Sequence, residues 1–324
     1  MRRRDFIGIV TAAATTGLFA AQAKAEHVRR IGVLMGMEPH DPAGLSEVRA
    51  LKQGLQELGW VEGRNLQIEE FWPGGQLDHI QASAKELVGL KCEVIVARTT
   101  PAVAALLKET RAIPIVFSYV FDPIGSGFVQ NFAQPGGNVT GFQVFEPTIV
   151  GKWLQILSEI APSLRRIGFV YNPNTAPPAL VHAFKAFAPS APVPLIAVPA
   201  HEPAELDAAF AQFARQPGGG MIVVADVFTD AYHAQITALA TKFTLPAIYA
   251  HRFDDALVTY GPDLTDLLRR ASSYVDRILR GEKPGDLPVQ APSKYELIIN
   301  LKTAKAIGLD VPGYLQQLAD EVID

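Results

Sequence analysis

Thr100-Pro101-Ala102 is the segment of this 324-residue chain whose residue types suggest chemistry most directly. A threonine ahead of a proline suits the first positions of a helix, where backbone N–H groups lack partners inside the helix. Such a terminus favours an anion, and a ligand carboxylate is the natural guest; a helix cap with no ligand is the equally open alternative. Thr99 and Ser118 add hydroxyl donors to the same group. Asp226 follows the apolar run Met221–Ala225 and offers a carboxylate to a ligand ammonium, a charge-assisted hydrogen bond. Capping of the next helix is its alternative role, although Thr229 and Asp230 are better spaced for that task. Asp122 belongs to an Asp-Pro pair, a turn starter that can also contact a ligand. Asn172 and Asn174 flank Pro173, as turn residues or as polar readers of a ligand backbone. Phe145, Tyr119, Phe228, Tyr249 and Tyr260 are candidate aromatic walls, set against the ordinary fate of aromatics as core.

Catalytic patterns find little support. Gly125-Ser126-Gly127 has the wrong spacing for a nucleophile elbow. No phosphate loop occurs, and no Gly-x-Gly-x-x-Gly follows the first apolar run. The seven histidines are scattered, with no pair at metal-ligand spacing. Asp254-Asp255 and Glu69-Glu70 are adjacent pairs whose side chains diverge in extended chain, so they read as solvated acids. The expectation is a binding protein without cofactor or metal. A periplasmic hydrolase or isomerase is the enzymatic alternative.

These residues need elements to hold them. Short apolar runs alternate with helical patterns, beginning with Ile31–Leu34 and a helix carrying Val48, Leu51, Leu55 and Leu58 at helical spacing. Strands are predicted at Leu66–Phe71, Glu93–Ala97 and Ile113–Ser118, with helices across Ile80–Leu90 and from Thr100-Pro101 to about Thr110. A second series follows: helix Gly151–Ile160, strand Ile167–Tyr171, helix Ala179–Ala188, strand Leu195–Val198, helix Ala204–Arg215, strand Met221–Ala225 and helix Asp230–Phe243. Two such series predict an α/β protein with two doubly wound parallel-sheet lobes. The helix Leu264–Arg280, the strand Tyr295–Asn300 and the short helix Leu301–Ile307 look like a chain crossing back between lobes, joined by hinge strands. We expect residues 26–143 plus 260–287 in the first lobe and 144–259 plus 288–324 in the second. In open parallel sheets ligands collect beyond the carboxyl ends of strands. That rule selects Met35-Gly36, Arg98-Thr99-Thr100, Ser118-Tyr119, Asn172, Asp226 and Tyr249.

Residues 1–25 read as an export signal, with Arg2, Arg3 and Arg4 ahead of an uncharged run and Ala23-Lys24-Ala25 as the cleavage pattern. Arg3-Arg4-Asp5-Phe6-Ile7 also fits a twin-arginine signal. Cleavage after Ala25 leaves 299 residues with a formal charge of −7, an unpromising balance for binding nucleic acid. Cys92 is the only cysteine, so there is none near the signal to carry a lipid and no internal disulfide. It precedes Val94-Ile95-Val96 and reads as a core thiol. A freely diffusing periplasmic monomer is expected.

The chain resembles the substrate-binding components of ABC importers, of the type I two-lobed class, and among them the tryptophan/tyrosine-type family. The resemblance rests on Gly59-Trp60-Val61-Glu62-Gly63-Arg64-Asn65, Ile113-Pro114-Ile115-Val116-Phe117 and Asp122-Pro123. It continues through Pro135-Gly136-Gly137-Asn138-Val139-Thr140-Gly141, Gly151-Lys152-Trp153-Leu154 and the tail from Leu287-Pro288-Val289-Gln290 to Ile299–Lys305. It implies a periplasmic receptor that captures a small zwitterionic or carboxylate ligand, amino-acid-like and aromatic as a first guess, for an inner-membrane ABC permease. A sensory module serving a chemoreceptor or kinase is the non-transport alternative. One departure stands out: Asp254–Thr259, between Phe253 and Tyr260, is shorter than its glycine-containing counterpart in that family.

Overall fold

The structure, a computed structural model, describes residues 28–324, so the export signal lies outside the described residues. Two sheets organise the chain. The first comprises β1 (Arg29–Met35), β2 (Leu66–Phe71), β3 (Val94–Arg98), β4 (Ile115–Val120) and β5 (Val139–Gln143), in the order β2-β1-β3-β4-β5 and wholly parallel. Its strands show why side chains alternate across a sheet. Ile31, Val33 and Met35 pack into one apolar cluster while Leu34 packs into another on the opposite face. The helices α1 (Pro42–Glu57), α2 (Leu77–Gly89) and α3 (Thr100–Glu109) follow β1, β2 and β3 and cover those faces.

The second sheet uses β6 (Arg166–Tyr171), β7 (Leu195–Pro199), β8 (Gly219–Val223), β9 (Ala247–Tyr249), β10 (Val258–Pro262), β11 (Tyr295–Asn300) and β12 (Glu321–Ile323). Their order is β12-β11-β10-β9-β8-β6-β7, and only the β10–β11 pair is antiparallel. Helices α4 (Ile149–Ile160), α5 (Pro178–Phe187), α6 (Pro203–Ala214), α7 (Val227–Ala231) and α8 (His233–Lys242) accompany it. The continuous helix expected over Asp230–Phe243 is therefore two helices that meet at Tyr232.

Helix α9 (Leu264–Leu279) returns to the first lobe, where it packs along α1 and against β3, β4 and β5. It is started by Asp263, whose carboxylate accepts from the Asp266 N–H at 2.9 Å. The exit strand β10 sits wholly in the second sheet, so we place that crossing after Pro262 rather than before Tyr260. The final return also moves: Gln290 exchanges backbone hydrogen bonds with Gly141 and Gln143 of the first lobe, which puts the crossing at 291–294. With 144–148, three segments connect the lobes. The short helices α10 (Leu301–Ala306) and α11 (Gly313–Leu318) finish the second lobe.

Among the described residues no helix is long and apolar enough to cross a membrane, and no group of three His, Cys, Asp or Glu side chains is placed to hold a metal. Cys92 is 3% exposed, and burial, with Glu69 nearby, pushes its thiol up to about 11. A maleimide reagent at neutral pH is expected to leave the folded protein unlabelled and to label it on unfolding in urea. Labelling of the folded chain at a free-thiol rate would contradict this burial.

Candidate functional site

The carboxyl ends of both sheets face one cleft, and β4 supplies its most unusual feature. Phe117 pairs with Gly141 and Val120 with Gln143, so β4 spends one more residue than β5 over the same stretch. That bulge puts Tyr119 in the left-handed region at φ 57° and turns its ring out of the strand alternation. Thr99, at the end of neighbouring β3, is also a positive-φ residue, at φ 91° and ψ 149°. The other two non-glycine cases, Lys91 and Thr244, lie just past helix ends, where a left-handed residue is ordinary. Backbone strain of about 1–3 kcal/mol at such a position is thus concentrated at two adjoining strand ends in the cleft.

Charge is arranged beneath Tyr119. Arg98 and Glu47 are 7% and 2% exposed and form a two-pronged ion pair, Nε to Oε2 at 2.6 Å and Nη2 to Oε1 at 3.1 Å. Burial works against the Arg98 charge, but Glu47 outweighs it and the guanidinium is held above its ordinary value. The Arg98 Cζ lies 4.4 Å from the centre of the Tyr119 ring, a cation–π contact. Burial, reinforced by the Asp230 carboxylate, pushes the Tyr119 phenol well above its usual value, so it is a neutral O–H donor.

The second lobe answers with His251 and Asp230. The Tyr119 hydroxyl lies 2.6 Å from His251 Nε2, and His251 Nδ1 lies 3.0 and 3.1 Å from the two Asp230 oxygens. A carboxylate only accepts, so Asp230 holds the proton on Nδ1 and leaves Nε2 facing the Tyr119 hydroxyl. His251 opens the short loop before β10, which is tied down at several points. Arg252 binds both oxygens of Glu321 at 2.5 and 2.8 Å, and Asn300 donates to the Asp254 carbonyl at 2.6 Å. Thr303 donates to the Asp255 carbonyl at 3.1 Å. Gly261 is required where β10 passes this loop, because a Cβ there would sit 1.9 Å from the Ala250 carbonyl oxygen.

Several expected contacts have other work. Asp226 is the N-cap of α7: its carboxylate accepts from the Phe228 and Thr229 N–H groups at 2.6 and 3.0 Å, and from the Thr175 hydroxyl at 3.1 Å. Thr229 completes the capping box, so the better cap by spacing is its third residue instead. Asp226 is 5% exposed, and burial raises its carboxyl against the pull of these hydrogen bonds. Asp226→Ala is expected to lower stability by about 1–2 kcal/mol, read by urea unfolding, with Asp226→Asn losing less because it keeps an acceptor. Equal losses for both would contradict the capping role.

Thr99 rather than Thr100 is the N-cap of α3, and it makes no side-chain cap bond; Thr100 is the first helical residue. Both are half-buried at the cleft, and Thr99 Oγ1 is a buried atom with no partner. Gly36 lies against it, since a Cβ there would be 2.7 Å from that oxygen. Buried Ser118 accepts from the Thr99 N–H through its carbonyl at 3.1 Å. Asp122 caps a turn through the Gly125 N–H at 2.7 Å. Asn172 is buried, donating to the His201 carbonyl and accepting from the N–H of exposed Asn174. Met35 is fully buried in core, and Tyr249 packs on Phe253 with its hydroxyl 2.9 Å from Thr237 Oγ1. Tyr260 stacks on Tyr295 at 5.6 Å beside the crossings, and Phe145 packs 6.2 Å from Phe121 at the hinge. Phe228 stands against Tyr232 at 5.1 Å.

Glu47, Arg98, His251 and Asp230 complete the cluster, and their roles are only partly legible in the sequence. Glu47 falls on the apolar stripe of α1, in line with Leu51 and Leu55, and Arg98 ends an otherwise apolar strand. Two opposite charges at positions that should be buried are a pairing signal. His251 and Asp230 carry no such mark. Two concavities of about 520 and 500 Å³ lie on the outer faces, one beside Lys108 and Arg111 and one beside Lys242 and Lys302, away from this cluster.

Residues 30–323 match the sequence model of the family described as ABC transporter substrate binding protein. A tyrosine-binding protein of Clostridioides difficile (strain R20291) is 26% identical over 265 residues, 79% of this chain and 75% of the relative. The crystal structure of a conserved domain protein from Vibrio cholerae is similar with a TM-score of 0.80 at 27% identity, over 91% of this chain and 99% of that one. An ABC domain from Streptococcus pneumoniae in complex with L-Trp also superposes with a TM-score of 0.80, at 23% identity and the same coverage. With nearly the whole described chain matched, this protein belongs to the ABC transporter substrate-binding protein family.

Proposed function

We propose that the chain is the periplasmic receptor of an ABC importer, closing its lobes on an aromatic amino acid and passing it to an inner-membrane permease. The observation that carries this reading is the meeting of unlike chemistry across one cleft. The strained ends of β3 and β4, with the start of α3, offer hydroxyls and N–H groups; the opposing lobe offers the Asp230 carboxylate. A zwitterion needs both. The carboxylate would face Thr99, Thr100 and the first N–H groups of α3. The ammonium would face Asp230, in place of the fully engaged Asp226. Tyr119 and Phe121, 5.4 Å apart and edge to face, would supply an aromatic wall. The relatives support the ligand class, since one is named for tyrosine and another holds L-Trp. Calorimetric titration with an amino-acid panel tests it. Saturable binding of L-tyrosine or L-tryptophan is the expected result, and silence across amino acids and related carboxylates would contradict it.

A further inference from the structure

We propose that Tyr119, His251 and Asp230 form a latch that holds the two lobes together without ligand. The Tyr119 hydroxyl and His251 Nε2 are 2.6 Å apart although Tyr119 lies in the first sheet and His251 in the β9–β10 loop of the second lobe. Each half of the latch is fixed from behind. In the first lobe the bulge aims Tyr119, and the buried Glu47–Arg98 pair supports its ring from below. In the second, Asp230 sits on the helix capped by Asp226 and orients the imidazole, while the Arg252–Glu321 pair anchors the loop. Glu47, Arg98 and Asp226 are therefore positioning residues. The polar contacts of Glu146, Asp263 and Lys294 join segments at the crossings themselves, whereas Tyr119–His251 spans the cleft and must part when it opens.

The latch is compatible with a ligand. The His251 side chain is 13% exposed and that of Asp230 37%, so the carboxylate presents an open side while holding Nδ1–H. A carboxylate has acceptor sites for both partners. Occupancy of the cleft then adds to the latch rather than replacing it.

Interlobe distances in the ligand-free protein test the proposal, measured between spin labels on one introduced cysteine per lobe; buried Cys92 stays unlabelled. Tyr119→Phe and His251→Leu each remove the same hydrogen bond. Each is expected to shift the open-to-closed ratio roughly fivefold towards open, the worth of one such bond. The double variant is expected to shift it no further. A wild-type distribution in Tyr119→Phe, or shifts that add in the double variant, would overturn the latch. If His251→Leu fails to fold by circular dichroism, Tyr119→Phe, which loses a single oxygen, decides alone. No ligand enters the measurement, so a wrong ligand assignment and a wrong latch give separate results.

Discussion

Glu47→Ala is expected to cost the folded protein about 3–5 kcal/mol, because it strands a buried guanidinium. Arg98 is 7% exposed, and Glu47 takes two of its N–H groups. Alanine removes the only side-chain acceptor that the guanidinium has among the described residues. The damage extends into the cleft, since the Arg98 guanidinium underlies the Tyr119 ring. Glu47→Ala should therefore also shift the interlobe distribution towards open. The double change Glu47→Leu with Arg98→Met removes both charges and should recover most of the stability, since a buried pair is often replaceable by apolar residues at little cost. Chemical denaturation at neutral pH measures both variants. A loss below about 1 kcal/mol for the alanine variant, the range of an exposed pair, would show that solvent reaches Arg98.

Asp230→Asn is expected to weaken binding of the aromatic amino acid by roughly 10- to 150-fold, the range for a lost hydrogen bond to a charged group. Asparagine keeps an oxygen to accept from His251 Nδ1–H, so the latch survives while the charge facing the ammonium is lost. Tyr119→Phe provides the comparison, because it removes the latch and leaves the carboxylate in place. Its effect on affinity is limited to about fivefold. Equal losses in the two variants, measured by calorimetry, would remove the ammonium role from Asp230.

The sheets were largely legible because apolar runs bounded by turns carry a strong signal. Leu66–Phe71 and Tyr295–Asn300 match their predicted bounds, and the carboxyl-end rule led to Thr99, Ser118 and Tyr119. The rule finds the end of a strand but not the face on which its last side chain lies. One residue of register decides that face, and it sends Met35 and Tyr249 into core. Asp226 and Asp230 show a similar ambiguity. Both carboxylates follow one strand, and only the observed start of α7 makes the first a cap and leaves the second in the cleft. The bulge at Tyr119 leaves no mark in spacing or composition, and neither does the tertiary contact that brings His251 across. The short strands β9 and β12, three residues each, are too brief for periodicity to reveal.

The shortened stretch after Phe253 gains meaning from the same contacts. Its Asp254 and Asp255 carbonyls are held by Asn300 and Thr303, which keeps the loop close to the sheet and His251 at the cleft. A longer segment there would have freedom that this one lacks.

A crystal structure of the protein grown with L-tryptophan or L-tyrosine tests the central claim most directly. The account predicts the amino acid between the lobes, its ammonium about 3 Å from the Asp230 carboxylate and its carboxylate at the start of α3. A ligand bound on an outer face, or one in the cleft with its ammonium held by other groups and Asp230 untouched, would contradict it.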